Sequence, residues 1–504
     1  MGEVHNPLLS GFYPDPSICR AGEDYYLATS TFAYVPGVPI FHSRDLMNWN
    51  RIGHALEREE QLRLEGAGMS EGIFAPCIRY EDGVYYMIST NISGGGNFYV
   101  TAEKPEGPWS DPFWLEEAEG IDPSLFFDRG KCYYVGQRDK RNGKYYGDCE
   151  IWLQELDLET HRLKGEVSVL WDGASKHAIW PEGPHLYKRN GFYYLLIAEG
   201  GTGYEHSICI ARSETLTGKY ESCPCNPIFT HRHLGHNARI QNTGHGDLVE
   251  TPDGKWYIVM LGTRPLEGHA PLGRETFIAE VAWENDWPVI NPGKGKLSEI
   301  QQISIPVQKS GKQQKPEKDY LFFRFLEKEA YRIEENGNLM LRALPRDFSG
   351  PLSPAYIGLR ITSHRFGIGT EVTFLPARGE EAGLVYLYDE NHYIKCVVTA
   401  TENDEIFIKA VKVSGGKESV LSCHRTCGEK HGLNLRLAGL KLNGMADGKE
   451  LFADLDVREF TQEAAGGFVG CTMGVYASAG EGNGKNAGDS AHYALFSSAQ
   501  KTGI

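Results

Sequence analysis

The sequence predicts an all-β protein of two domains, a five-bladed β-propeller followed by a β-sandwich, and three observations carry that reading. An aromatic pair backed by an aliphatic residue recurs five times in the first 265 residues: Tyr25-Tyr26-Leu27, Tyr85-Tyr86-Met87, Tyr133-Tyr134-Val135, Tyr193-Tyr194-Leu195 and Trp256-Tyr257-Ile258. The composition, with 59 Gly, 25 Pro and 11% aromatic residues, belongs to strands and turns rather than helices. Two-residue alternation returns late in the chain, in Gly369-Thr370-Glu371-Val372-Thr373-Phe374 and Gly383-Leu384-Val385-Tyr386-Leu387-Tyr388, while helical periodicity is weak throughout.

The five pairs lie 60, 48, 60 and 63 residues apart. Turn-bounded aromatic strands at such intervals fit four-stranded blades repeated around a central channel. Ten residues before the first pair, and eleven before each of the others, stand Asp15, Phe74, Asp122, Glu182 and His245. Equivalent positions in a propeller point at one axis. Three acids brought together there, where no hydrophobic core needs them, are candidates for chemistry.

A chain of 504 residues is too long for one core. Residues 1–300 are read as the propeller. The polar run from Gln308 through Lys318 cannot bury enough apolar surface to pack, so residues 301–319 are read as a linker. The alternating strands of residues 320–504 suit a sandwich.

Charge and cysteine usage narrow the function. A formal net charge of −16 argues against nucleic acid or an anionic membrane as partner and leaves a neutral substrate compatible. No stretch approaches the roughly 20 apolar residues of a membrane span, and Met1 to Ser10 lacks the basic start and apolar run of a secretion signal. A cytoplasmic location is expected, or secretion if a signal has been removed. Eleven scattered cysteines, an odd number, suit reduced thiols. Cys223-Pro224-Cys225 lacks a nearby second Cys/His pair for zinc, and Gly94-Gly95-Gly96 lacks the lysine of a phosphate-binding loop. Homo-oligomerisation is left open.

The acids sit in Tyr13-Pro14-Asp15-Pro16-Ser17, Ile121-Asp122-Pro123-Ser124 and Trp180-Pro181-Glu182-Gly183-Pro184. Neighbouring prolines fix φ and aim each carboxylate from a strand end. An Asp beside Pro is often only a turn former, but three acids in one register of a five-fold repeat argue against that reading. Hydrolysis of a glycosidic bond with inversion needs one carboxylate to activate water and one carboxylic acid to protonate the leaving oxygen, about 6.5–9.5 Å apart.

The segments Gly11-Phe12-Tyr13-Pro14-Asp15-Pro16-Ser17-Ile18, Gly120-Ile121-Asp122-Pro123-Ser124-Leu125-Phe126 and Glu182-Gly183-Pro184-His185-Leu186-Tyr187 resemble the motifs of family 43 glycoside hydrolases, the β-xylosidases and α-L-arabinofuranosidases. The resemblance covers nearly the whole chain and implies a concanavalin-like sandwich. It also implies an inverting mechanism with Asp15 as general base, Glu182 as general acid and Asp122 as the residue that orients Glu182 and tunes its pKa. Arg274 resembles the family's arginine for sugar hydroxyls, its alternative being a surface salt bridge. Phe32 and Phe74 resemble the aromatics set against the sugar ring, their alternative being blade core. Phe468, in Gly466-Gly467-Phe468-Val469-Gly470, resembles a sandwich-loop phenylalanine that reaches over the pocket and would make cleavage exo. His245 resembles a histidine through which some members hold a calcium ion in the channel, with waters completing the shell, or it is a neutral channel histidine. No cofactor is expected for catalysis itself. The reading is an inverting exo-glycosidase that takes terminal xylose or arabinose from plant-wall oligosaccharides, most of all a β-xylosidase. Its rivals are an α-L-arabinofuranosidase with little xylosidase activity and a carbohydrate-binding propeller without catalysis.

Overall fold

The computed structural model describes residues 2–305, 319–401, 403–480, 492–497 and 500–501. The propeller has five blades, each a four-stranded antiparallel meander that runs outward from the axis. Their innermost strands are Ser17–Ala21, Cys77–Glu81, Ile121–Asp128, Glu182–Arg189 and Gln241–Glu250. The recurring aromatic pairs lie on the second strands. Arg20, Tyr80, Phe126, Lys188 and Glu250 of the innermost strands stand opposite Tyr25, Tyr85, Tyr133, Tyr193 and Trp256. Side chains of the pairs fill the spaces between blades, as where Tyr26 meets Tyr85 edge to face at 5.1 Å and Tyr193 meets Phe126 at 6.1 Å.

A buried ion-pair network binds the blades at the axis. Asp247, on the fifth blade, takes Arg79 of the second at 2.8 and 3.2 Å, Ser17 Oγ of the first at 2.7 Å and Tyr187 Oη of the fourth at 2.5 Å. Four of the five blades thus meet at one carboxylate.

The expected linker differs at both ends. Ile300–Ile303 is a strand paired antiparallel with Gly2–His5, so these residues complete the propeller. At the other end Asp319 is already held in ion pairs with Arg51 and Arg360. Residues 306–318, the polar run itself, lie outside the described residues.

The sandwich stacks two antiparallel sheets. One runs Lys417–Arg425, Ile406–Ser414, His392–Ala400, Glu381–Asp389, Thr472–Ser478, Ala355–Arg360 and Tyr320–Phe323, and then continues onto Tyr34–Val35 of the first blade. The other is centred on Arg365–Thr373 and Lys430–Ala438. One apolar cluster extends from Phe12, Phe32 and Tyr34 through Tyr356, Tyr386 and Val475. The domains therefore share a core as well as a strand pairing.

Candidate active site

All five positions picked out by the repeat line one cavity: Asp15, Phe74, Asp122, Glu182 and His245. Phe32, Arg274 and the sandwich residue Phe468 line it too, together with Ala75, Ile121 and Thr202, which the sequence did not single out. The recess is small, about 70 Å³.

The backbone around the ring is strained. Asp15, Asp122 and His245 have φ of 53°, 53° and 44°, left-handed values that cost a non-glycine residue about 1–3 kcal/mol and persist only where the surroundings enforce them. On the fourth blade the left-handed position falls on Gly183, at φ 56°, directly after Glu182. Only glycine fits there, because a Cβ would stand 2.9 Å from His245 Nε2.

The three acids are all buried, at 4%, 7% and 9% exposure for Asp15, Asp122 and Glu182, so their partners decide their charge. Burial alone would raise Asp15, but Arg274 Nη1 at 2.7 Å, the nearby His245 and a hydrogen bond from Ser30 Oγ at 2.5 Å outweigh it and hold the carboxyl below its ordinary value. Glu182 goes the other way. Burial raises it, the charges of Asp122 and Asp15 raise it further, and Arg274 offsets only part, leaving the carboxyl well above the usual range. Asp122 is pushed up to about 6, first by burial, while it accepts a hydrogen bond from the backbone N–H of Gly183 beside Glu182. One site thus biases one acid toward its ionised form and another toward its protonated form, the division that acid–base chemistry needs.

Arg274 is 2% exposed, not the surface salt bridge that was its alternative reading. Nη1 binds Asp15 and Nη2 donates to the Phe468 carbonyl at 3.2 Å, while Nε is buried without a partner among the described residues. Phe468 stacks on Phe32 at 5.8 Å with 13° between the planes and meets Phe74 edge to face at 5.8 Å. The loop that carries it lies so close to the fifth blade that a Cβ on Gly470 would stand 2.6 Å from the Leu272 carbonyl oxygen.

His245 Nδ1 is 3.8 Å from Asp15 Oδ1. Among the described residues no group of three or more His, Cys, Asp or Glu is arranged to hold a metal. Asp15, whose Oδ1 lies 3.8 Å from His245 Nδ1, is already engaged by Arg274 and Ser30. A lone imidazole is a poor donor set for a hard cation, so no step of the chemistry is routed through calcium.

Comparison with known proteins agrees with this geometry. The sequence profile of glycosyl hydrolases family 43 matches residues 4–288, and that of the β-xylosidase C-terminal concanavalin A-like domain matches residues 312–498. The chain belongs to glycoside hydrolase family 43. It is therefore an enzyme, and a propeller that only binds carbohydrate is set aside. It is 45% identical to a xylosidase/arabinosidase of Butyrivibrio fibrisolvens over 98% of both chains. It is 35% identical to the non-reducing end α-L-arabinofuranosidase BoGH43B of Bacteroides ovatus over 95% of this chain and 92% of that one. Among solved structures, the xylan β-1,4-xylosidase of Bacillus halodurans C-125 superposes with a TM-score of 0.89 at 33% identity, covering 98% of this chain and 99% of that one.

Proposed function

We propose that this family 43 hydrolase is an inverting exo-glycosidase that releases terminal xylose or arabinose from short plant-wall oligosaccharides, with β-xylosidase its principal activity. The observation that carries the reading is the opposed electrostatic state of two acids in one small cavity, Asp15 held down and Glu182 held up. Glu182 gives its proton to the departing glycosidic oxygen. A water attacks the anomeric carbon from the opposite face, and Asp15 takes the proton which that water loses, so both carboxyls exchange charge state in one turnover. Asp122 keeps Glu182 protonated until then. Arg274 keeps Asp15 ionised and offers its unpaired Nε to a sugar hydroxyl. The sandwich, through Phe468, limits the cavity to one residue and favours chain-end cleavage.

The names of the relatives support both pentoses: the Butyrivibrio protein is called a xylosidase/arabinosidase and the Bacteroides protein an arabinofuranosidase. A predominantly arabinofuranosidase activity is therefore the second reading. Hydrolysis of p-nitrophenyl β-D-xylopyranoside beside the α-L-arabinofuranoside decides between them. Proton NMR of the first minutes on the xyloside is expected to show α-xylose. Initial β-xylose would mean a covalent intermediate and would remove Asp15 from its role as base.

A further inference from the structure

The segment that delivers Asp15 to the cavity is gripped from the sandwich. Arg360, 3% exposed at the end of strand Ala355–Arg360, donates from Nε to the Phe12 carbonyl at 2.8 Å and lies over the Tyr13 ring at 4.3 Å. Its Nη1 is paired with Asp319, which accepts the Tyr13 hydroxyl at 2.5 Å and is also paired with Arg51 of the first blade. From the propeller side, the Tyr13 N–H reaches the Arg274 carbonyl at 3.1 Å and Thr276 Oγ1 reaches the Tyr13 carbonyl at 2.7 Å.

One residue, Pro14, separates this clamp from Asp15. Pro14 and Pro16 flank the acid and stiffen the backbone on both sides of it, and Asp15 itself sits at φ 53°, a conformation that must be imposed from outside. Mobility at Tyr13 would pass almost undamped to the acid. None of the three residues Asp319, Arg360 and Tyr13 lines the cavity.

We propose that Asp319 and Arg360 are positioning residues for the general base: the sandwich holds Phe12–Tyr13 so that Asp15 faces the site where water attacks. The sandwich thereby acts on both sides of the cavity, with Phe468 against the sugar and Arg360 behind the base. The proposal rests on Asp15 being the base, so Asp15→Asn is measured beside it.

The test is steady-state kinetics of the full chain on p-nitrophenyl β-D-xylopyranoside, with pH profiles and thermal melts, for Arg360→Ala, Arg360→Lys and Tyr13→Phe. Arg360→Ala is expected to lower kcat roughly 10- to 100-fold with KM changed by less than about threefold, as for a misplaced catalytic group. Tyr13→Phe, which keeps the ring and removes one hydroxyl, should lower kcat by a smaller factor in the same direction. Arg360→Lys retains the charge beside Asp319 but not the two-pronged geometry and should fall between Arg360→Ala and the parent. The acid limb of kcat/KM should move to higher pH in each variant. The groups that face Asp15 are Arg274, His245, His206, Ser30, Asp122 and Glu182, and a displaced Asp15 loses first the directional contacts from Arg274 and Ser30. If Arg360→Ala does not fold, the other two variants decide. Folded variants with parental kcat and acid limb, and only a lowered melting temperature, overturn the proposal by reducing the clamp to a structural support. An active Asp15→Asn would instead overturn the assignment of the base.

Discussion

Two buried acids of the propeller, Asp247 and Glu182, are built in opposite ways. Asp247, fully buried, is saturated with partners: Arg79, Ser17 Oγ, the Ile18 N–H and Tyr187 Oη converge on its two oxygens. Burial would raise its pKa, but Arg79 and the hydrogen bonds drive it far below the ordinary value. Glu182, nearly as buried, faces two other acids and ends with its carboxyl raised. Burial by itself does not make an acid reactive. Pairing turns Asp247 into a rivet between blades, and the want of pairing leaves the Glu182 carboxyl raised above its ordinary range.

The comparison breaks most visibly if three acids, Glu182, Asp15 and Asp247, are neutralised in turn. Glu182→Gln and Asp15→Asn should each lower kcat on natural oligosaccharides by about 10²–10⁴-fold with the fold intact, while aryl glycosides that leave without protonation lose much less in Glu182→Gln. Asp247→Asn should do the reverse. It strands Arg79 in the interior and costs about 3–5 kcal/mol of stability, read as an earlier urea midpoint, with kcat of the folded fraction near that of the parent. Equal losses of activity at Asp247 and Glu182 would erase the distinction.

The pH dependence of stability sharpens it. Asp247 has a depressed pKa in the folded state, so its contribution is present above the unfolded value of about 3.9 and fades as pH falls through the folded one. Glu182 has a raised pKa, so the folded state binds its proton more tightly. Its cost to stability grows as pH rises from the ordinary glutamate value and is complete above the folded one. Glu182→Gln should therefore raise the melting temperature slightly at pH 7 and leave it unchanged near pH 4, as is common where an active site stores strain.

Smaller effects follow at the edges of the site. Asp122→Asn removes a negative charge next to Glu182 and should shift the alkaline limb of kcat/KM to lower pH, with a smaller loss of kcat than Glu182→Gln gives. Phe468→Ala gives up one stacked and one edge-on aromatic contact, and a loss of about 0.5–1.5 kcal/mol would raise KM for short substrates roughly 2- to 10-fold. Unchanged kinetics on both short and longer substrates would confine the Phe468 loop to bracing the domains.

The sequence by itself determined the repeat and, through it, the cavity. Aromatic pairs at blade intervals set the propeller register, and a fixed offset from them picked out five side chains that converge, because the geometry of a repeated sheet is local and carries over from one blade to the next. The alternation after residue 320 was enough for a sandwich for the same reason. Only the tertiary structure decided what the repeat does not encode. Asp319 stood at the end of a polar run and read as linker, yet it is a half-buried junction of two arginines and a tyrosine. Arg274 read as a sugar ligand, yet one prong of its fork holds Asp15 ionised. Nothing around Asp247 or Glu182 in the chain announces that one is saturated and the other crowded by like charge, since Arg79 and Asp122 reach them from 168 and 60 residues away. Charge state in a buried site is a sum over neighbours from every blade, and those neighbours exist only once the ring has closed.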